Sequence, residues 1–202
     1  IVDKDVAEEL KKPFLECIIA PSFSKEAIEE LKNKKNLRLI SVKDGWKDLS
    51  SIKSVIGGYL YQEKDFNFFN FKDLKIVTEK EPAKGDIEAM NLGWKLVRYV
   101  KSNAIVFANK NQLISVGAGQ MSRIDSVKIA IKKVAENGLN LRGSIMASDA
   151  FFPFSDCVEL AAAVGVSSII QPGGSIKDED IIKTANKLGV AMGFTGLRHF
   201  FH

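Results

Sequence analysis

The sequence GSIMASDAFFPFSD, residues 143–156, joins an apolar run to a loop and the start of a helix. The run 143–147 predicts a buried strand. The nine residues 148–156 hold three phenylalanines, one proline and two aspartates. Two interpretations of this loop stand at this point. It presents flat apolar faces and a few polar groups to a ligand, or its aromatic rings fill the core.

Apolar runs alternate with amphipathic stretches along the whole chain, which is typical of an α/β protein. The pattern predicts strands at 14–20, 36–42, 52–61, 74–78, 104–108, 113–116, 143–147, 166–170 and 190–194. It predicts helices at 25–34, 86–101 and 124–136, after Asp156, and from 178 to just before Gly189. Ser24 and Asp156 are the expected N-caps. Gly57-Gly58 indicates either a bulge or a close approach of the backbone.

The polar stretch 79–85 is the expected boundary between two parts of the chain, 1–80 and 81–202. Either part is short, but 202 residues together are enough to bury a core. The chain begins at Ile1, so we expect it to be a piece of a longer protein.

Composition is that of an ordinary globular protein, with 46% hydrophobic and 27% charged residues and a net charge of +4. A charge this small gives little reason to expect nucleic acid as a partner. No apolar run is long enough for a membrane span, and no signal peptide is visible. We therefore expect a cytoplasmic protein whose two cysteines, Cys17 and Cys157, are reduced.

Three loops follow predicted strands and precede predicted helices: 117–123, 148–156 and 172–175. In α/β sheets, ligands bind at such carboxyl ends of strands. Glycines in the first and third loops let backbone amides approach an anion, and Arg123 adds a planar fork of donors. A single Gly-x-Gly turn is more often structural, so the prediction rests on the three loops together.

The tail carries both histidines of the chain, His199 and His202, close to Arg198. A frayed terminus is one interpretation. The neighbouring Phe200 and Phe201 favour the other, in which the tail docks and holds Arg198 and one histidine in place.

Four motifs in one order, 101–106, 116–123, 148–154 and 198–200, resemble the AICAR transformylase region of the bifunctional AICAR transformylase/IMP cyclohydrolase family. The resemblance runs from about Phe14 to the last residue. It implies formyl transfer from 10-formyltetrahydrofolate, as co-substrate, to the 5-amino group of AICAR in purine biosynthesis. The product, FAICAR, is then cyclised to IMP by a separate domain.

The resemblance also implies an architecture and an assembly. The fold would be a three-layer, cytidine-deaminase-like α/β sandwich without zinc, with a mixed sheet flanked by helices. The parts 1–80 and 81–202 would be the end of a first transformylase subdomain and a second subdomain. The family works as a homodimer with sites at the subunit interface.

Site residues carry over motif by motif. The resemblance assigns AICAR binding to Asn103, Arg123, Phe151 and Arg198. It assigns the folate side to Ile124, Pro153, Phe154 and Asp156, with Asp156 contacting the pterin. Phe152, between these two sets, is expected to fill the core.

Two further assignments carry alternatives. His202 either assists proton transfer as a catalytic residue or serves only as a binding group. Ser102 and Asp149 hold a potassium ion, or Asp149 caps a neighbouring backbone group.

One departure from the family is large. The Lys-His-x-Asn-Pro-x-Gly run that supplies the family's main acid and base groups is missing from this chain, as is the cyclohydrolase domain. We therefore predict little formyl transfer by this chain alone, with the upstream half of the same protein as its partner. The competing hypothesis is a non-catalytic nucleotide- or folate-binding module. A deaminase-like hydrolase is disfavoured because no zinc-ligand motif is present.

Overall fold

A computed structural model describes residues 1–42, 50–67 and 69–202 of the chain. Contacts divide the chain into two units, Ile1–Lys64 and Asp65–His202. The first unit contains α1 (Lys4–Leu10), β1 (Cys17–Ala20), α2 (Lys25–Leu31), β2 (Arg38–Ser41), β3 (Ser50–Val55) and β4 (Gly58–Glu63). Strands β1 and β2 are parallel. Ser24 caps α2 as predicted, because its hydroxyl oxygen accepts the amide hydrogen of Ala27.

The single strand predicted at 52–61 is a hairpin instead. Strands β3 and β4 run antiparallel, with Ser54 opposite Tyr59. Gly57 lies in the turn between them with a φ of +86°. Gly57-Gly58 therefore reverses the chain and does not form the predicted bulge, because glycine readily adopts the positive φ that tight hairpin turns require.

The second unit is built on a six-stranded sheet in the order β5-β10-β9-β8-β6-β7. Its elements are a 3₁₀ turn (Phe71–Asp73), β5 (Lys75–Ile76), α3 (Lys84–Val97), β6 (Ile105–Ala108), β7 (Leu113–Gly117), α4 (Arg123–Glu136), β8 (Ile145–Ser148), α5 (Asp156–Ala163), β9 (Ser168–Gln171), α6 (Asp178–Leu188) and β10 (Ala191–Phe194). Strands β8, β9 and β10 are parallel, whereas β6 is antiparallel to both of its neighbours and β5 to β10. The sheet is therefore mixed.

Helices cover both faces of this sheet. Met90 and Trp94 of α3 pack on one face, against a cluster that includes Ile145 of β8. On the other face, α4, α5 and α6 contribute Val127, Val158 and Ile181 to a second buried cluster. The predicted α/β class, with a mixed sheet flanked by helices, is confirmed.

Local sequence signals mark some of the helix ends. Ser122 caps α4, and Gly189 ends α6 in the left-handed conformation. Asp156, predicted as the N-cap of α5, is instead its first residue, and Ser155 precedes it. The hydroxyl of Ser155 donates to the carboxylate of Glu159, so the predicted capping box does not form.

The boundary between the units also differs from the predicted one at 80/81. Strand β5 lies before that point, yet it pairs with β10 at the edge of the second sheet, where Ile76 is opposite Gly193. Residues 65–80 therefore belong with the second unit. Their long-range pairing has no signal in the local composition, which marked only the polar stretch 79–85.

Among the residues that the structure describes, no helix has both the length and the apolar character needed to cross a membrane.

Candidate active site at the carboxyl end of the sheet

Strand direction brings five connecting segments to one end of the second sheet. Strands β7, β8, β9 and β10 all finish at this end, and antiparallel β6 starts there. The segments are 102–104, 118–122, 149–155, 172–177 and the tail 195–202. Carboxyl ends of strands are the usual place for ligand sites in such sheets, and all three predicted loops lie here.

A buried ion pair forms the floor of this site. Arg123, the first residue of α4, donates from Nη2 to Oδ1 of Asp149 at 2.7 Å. The side chain of Asp149 is fully buried and that of Arg123 is 9% exposed. Ser102 donates its hydroxyl hydrogen to Oδ2 of Asp149 at 2.6 Å. Both carboxylate oxygens are thus hydrogen-bonded, which compensates the buried charge.

Asn103 ties this ion pair to the loop after β7. Its Oδ1 accepts from Nη2 of Arg123 at 3.0 Å. Its Nδ2 donates to the carbonyl oxygens of Gln120 at 2.9 Å and Met121 at 3.3 Å. The peptide bond between Ser102 and Asn103 is cis. The Asn103 side chain therefore fixes the position of the loop relative to Arg123.

Phe151 and Arg198 form the accessible face of the site. The guanidinium carbon of Arg198 lies 5.0 Å from the centroid of the Phe151 ring, in cation–π range. Nη1 of Arg123 donates to the carbonyl oxygen of Phe151 at 3.2 Å, which joins this face to the buried floor. A flat ring and an exposed positive charge thus lie beside a buried, hydrogen-bonded polar network.

Phe152 points the other way and fills the core, as predicted. Its side chain is fully buried, and its amide donates to Oε1 of Gln171 at 3.2 Å. Neighbouring side chains of an extended segment point in opposite directions. The core-filling interpretation of the loop therefore holds for Phe152, whereas Phe151 stays partly exposed.

The glycines of the two glycine-containing loops serve packing and turns. A Cβ at Gly117 would lie 1.9 Å from the carbonyl oxygen of Ser126, so β7 and α4 approach too closely for any side chain. In the later loop, the amides of Gly174 and Ser175 donate to Oδ2 of Asp178 at 2.7 and 3.2 Å. The anion that these amides bind is therefore a carboxylate from α6, which corrects the expectation that they face a ligand.

The four folate-side candidates lie at the starts of α4 and α5, two helices that contact each other. Ile124 is half-buried against the core, whereas Pro153 and Phe154 are exposed. Asp156 is half-buried, and its Oδ1 accepts the amide hydrogen of Cys157 at 2.8 Å. Pro153, Phe154 and Asp156 follow Phe151 closely along the chain.

The tail docks through its main chain and one histidine. The amide of His199 donates to the carbonyl oxygen of Asp149 at 2.9 Å, and the amide of Ser102 donates to the carbonyl oxygen of Phe201 at 2.9 Å. The His199 side chain is 1% exposed. His202 is exposed and stacks on the Phe200 ring, with centroids 5.7 Å apart. The predicted docking of the tail is therefore found, but His199 anchors it and both phenylalanines stay largely exposed.

Asp149 and Cys157 are both accounted for within the protein. The side chain of Asp149 pairs with Arg123 and Ser102, and within the described part of the chain it caps no backbone group. Burial raises the pKa of the Cys157 thiol, and the nearby Asp156 carboxylate adds to this effect. The thiol stays protonated at neutral pH and is not a nucleophile. Across residues 1–42, 50–67 and 69–202, no group of three His, Cys, Asp or Glu side chains could hold a metal ion.

Two residues near the tail escaped the sequence analysis. Oδ2 of Asp65 accepts a hydrogen bond from Nδ1 of His199, and the Trp94 ring lies against the His199 ring with centroids 4.7 Å apart. Asp65 is 134 residues from His199, so no local pattern could join them. Trp94 lies in the apolar stripe of α3, where it is indistinguishable from an ordinary core residue.

Fold and site together define an α/β protein with a polar and aromatic site at the carboxyl end of a mixed sheet. Comparison with known families places it more narrowly. The profile of the AICARFT/IMPCHase bienzyme family matches residues 1–133. The chain belongs to this family.

Curated relatives agree with that assignment over the full chain. Proteins named "Bifunctional purine biosynthesis protein PurH" from Lysinibacillus sphaericus and Aquifex aeolicus are 50% and 45% identical to it. Each match covers 100% of this chain and 39% of the relative. The chain therefore spans well under half the length of these relatives. Among solved structures, a dCMP deaminase from the cyanophage S-TIM5 is 17% identical, covering 55% of this chain and 98% of its own, with a TM-score of 0.38.

Proposed function

We propose that this chain supplies the C-terminal part of an AICAR formyltransferase site. The reaction would move a formyl group from 10-formyltetrahydrofolate to the 5-amino group of AICAR, giving FAICAR in purine biosynthesis. One observation carries the proposal: in a chain of this family, Phe151 and Arg198 form an accessible ring and cation above the buried network of Asn103, Arg123 and Asp149.

The nucleotide side of the proposed site uses a ring, a cation and a fixed frame. The face of Phe151 would pack on the AICAR base, and Arg198 would leave the ring to pair with the phosphate, which its planar fork suits. Most polar atoms of Arg123 and Asn103 already form hydrogen bonds within the protein. Their proposed contact with the carboxamide is therefore limited to the polar atoms that have no such partner. Nε of Arg123 is buried and has no hydrogen-bond partner among the described residues, and it is the donor that we assign to the ligand.

The folate side would be the surface at the starts of α4 and α5. Pro153 and Phe154 present exposed apolar area to a pterin ring, with Ile124 behind them. Asp156 supplies the polar contact, because its half-buried carboxylate is held in place by the amide of Cys157. The two substrates would then meet at Phe151, one on each side of the loop.

The proposed reaction depends mainly on how the amine of AICAR is oriented toward the formyl carbon. The AICAR amine is a poor nucleophile because its lone pair is delocalised into the ring and the carboxamide. Its nitrogen attacks the formyl carbon, the bond from that carbon to N10 of the folate breaks, and the amine proton passes to N10. Holding the two reactants in line and stabilising the oxyanion lower this barrier. His202 would assist the proton transfer, since imidazole can both donate and accept a proton.

We assign no step to a potassium ion at Ser102 and Asp149. Their oxygens are of the type that hard cations accept. However, Arg123 already neutralises the carboxylate of Asp149, and Ser102 donates its hydroxyl hydrogen to it. The negative charge that would attract a cation here is already neutralised by Arg123.

We further propose that the second unit is the cytidine-deaminase-like subdomain implied by the resemblance, and that the assembled enzyme is a homodimer. Helices on both faces of a mixed sheet support the first point. Light scattering on a purified sample tests the second point by measuring mass in solution.

Calorimetric titration with AICAR tests the nucleotide site. We expect Phe151→Ala to weaken binding by about 1–3 kcal/mol, the scale of a lost stacking contact on a base, and Arg198→Ala to weaken it about tenfold or more. Tyr99→Ala is the matched control, since Tyr99 is an exposed ring with Arg98 over it at 4.8 Å. Binding that is unchanged in both site variants would reject the site.

Turnover with AICAR and 10-formyltetrahydrofolate separates an enzyme part from a binding module. We expect little activity from this chain alone, because the Lys-His pair of the family is not in it. Adding the upstream part of a family member should restore activity. Robust turnover by the chain alone would refute the missing-pair argument. Binding without turnover in the restored assembly would favour the non-catalytic module.

A further inference from the structure

We infer that His199 is a positioning residue that sets Arg198 over the nucleotide site, acting from inside the protein through Asp65 and Trp94. This inference rests on the role proposed above for Arg198. His199 contacts no proposed substrate position. It determines where the residue before it can stand.

The first argument is the burial and bonding of His199. Its side chain is 1% exposed, and its Nδ1 donates to Oδ2 of Asp65. Trp94, which is 3% exposed, covers the ring at a centroid distance of 4.7 Å. A buried imidazole with a carboxylate on one nitrogen and an indole on its face has one orientation available to it.

The second argument is that the main chain of the tail is tied on both sides of this anchor. The amide of His199 donates to the carbonyl oxygen of Asp149, the residue whose side chain holds Arg123. Two residues on, the amide of Phe201 donates to Oγ of Ser102 at 3.2 Å, and Ser102 in turn donates to Asp149. The tail is therefore hydrogen-bonded directly to Asp149 and Ser102, two residues of the buried floor of the site.

The third argument concerns direction. Neighbouring side chains of an extended segment point opposite ways. With His199 turned into the protein, Arg198 must point out, and it lies over Phe151 at 5.0 Å. A terminal nitrogen of Arg198 also lies 3.9 Å from the Cβ position of Gly174, in the loop after β9. Without the anchor, a long exposed arginine near the end of the chain would sample many positions.

A double-mutant cycle tests this dependence. AICAR affinity is measured by calorimetry for His199→Ala, Arg198→Ala and the double variant. We expect His199→Ala to weaken binding about tenfold and to add almost nothing once Arg198 is gone, because the two changes remove one interaction. Losses that multiply would overturn the inference, since His199 would then act independently of Arg198.

Conservative variants guard against a simple folding defect. His199→Asn keeps a donor near the position of Nδ1 and should recover most of the affinity, whereas Asp65→Ala should behave like His199→Ala. Asp65 is partly exposed, so its removal leaves no large cavity. Lys183→Ala, at an exposed position on α6, is the neutral control. No recovery in His199→Asn, together with full affinity in Asp65→Ala, would also reject the proposed coupling.

Hydrogen exchange separates failure of this inference from failure of the proposed function. By mass spectrometry, and without any ligand, the peptide 195–202 should exchange faster in His199→Ala while peptides of α4 do not change. Faster exchange in a protein that does not bind AICAR would reject the proposed function and keep the anchor. Unchanged exchange of the tail would reject the anchor even if AICAR binds.

Discussion

At the scale of single residues, the ion pair of Arg123 and Asp149 carries a large desolvation cost, because both charged groups are buried. Taking two charges out of water costs several kcal/mol per ion, and only good geometry with further hydrogen bonds offsets that cost. Here Ser102 and Asn103 supply those bonds. The members of the network therefore depend on one another. Removing one of them leaves another polar group buried without its partner, at the full cost of desolvation.

Asp149→Asn is the test of that view. The change keeps the side-chain shape but leaves the guanidinium of Arg123 buried without a counter-charge. We expect the free energy of unfolding to fall by about 3–5 kcal/mol, as measured by urea denaturation.

Glu136→Gln is the matched control on the same unit. It breaks an ion pair with Lys132 whose side chains are 59% and 75% exposed. Such surface pairs contribute no more than about 1 kcal/mol. A loss for Asp149→Asn as small as the loss for Glu136→Gln would contradict the buried-pair argument.

What the sequence could predict at this scale was set by distance along the chain. The inward direction of Phe152 follows from alternation with Phe151, and the structure confirms it. Arg123, the partner of Asp149, lies 26 residues away in the sequence. No local pattern in either segment indicates that the two residues pair. Asp156 was misassigned as a cap because Ser155, just before it, takes the N-cap position.

At the scale of elements, the contact between β7 and α4 determines where Arg123 stands. Gly117 ends β7 with the backbone of Ser126 directly against it. Ser126 in turn donates its hydroxyl hydrogen to the carbonyl oxygen of Asn103 at 2.7 Å. The first turn of α4 is therefore pressed onto the sheet, and Arg123 enters the site from a fixed helix start.

Gly117→Ala should disturb this contact severely. The new methyl group would overlap backbone atoms that cannot rotate away, so we expect a loss of about 1–3 kcal/mol or more, read as a lower Tm by scanning fluorimetry. Gly85→Ala is the control. A Cβ at Gly85 in α3 meets nothing within 4 Å, and alanine favours a helix by up to about 1 kcal/mol. Equal Tm changes for the two variants would show that the approach of α4 is not tight.

Helices and strands of the second unit were predicted well because their signals are local. Ser122 at the start of α4 and Gly189 at the end of α6 are short-range devices that work in any context. The hairpin of the first unit was missed because apolar residues lie just before and just after Gly57-Gly58, so one long strand and two short ones give a similar local pattern. Pairing of β5 with β10 depends on contacts made across the whole unit.

At the scale of the whole molecule, the second unit carries every residue of the candidate site. It has its own six-stranded sheet with a buried cluster on each face. The first unit has two-stranded sheets and a smaller core. In addition, several large apolar side chains of its hairpin are exposed: Ile52, Ile56, Tyr59, Leu60 and Tyr61.

Residues 65–202 should therefore fold alone. We expect a cooperative urea transition for this fragment, with coincident loss of circular dichroism and of tryptophan fluorescence, as for a single domain. The fragment 81–202, cut at the boundary first predicted, is the control. It lacks β5 and Asp65 and should be less stable. Equal stability of the two fragments would show that residues 65–80 add nothing to the unit.

The ring contact between Trp94 and His199 gives the protein an optical reporter. The chain has two tryptophans, Trp46 and Trp94, and Trp46 lies outside the described residues. Replacing Trp46 with phenylalanine leaves one emitter, whose indole touches the histidine of the tail. Release of the tail would remove this ring contact and change the surroundings of the indole, so the emission of Trp94 should change. Stopped-flow fluorescence could then time that release without any added dye.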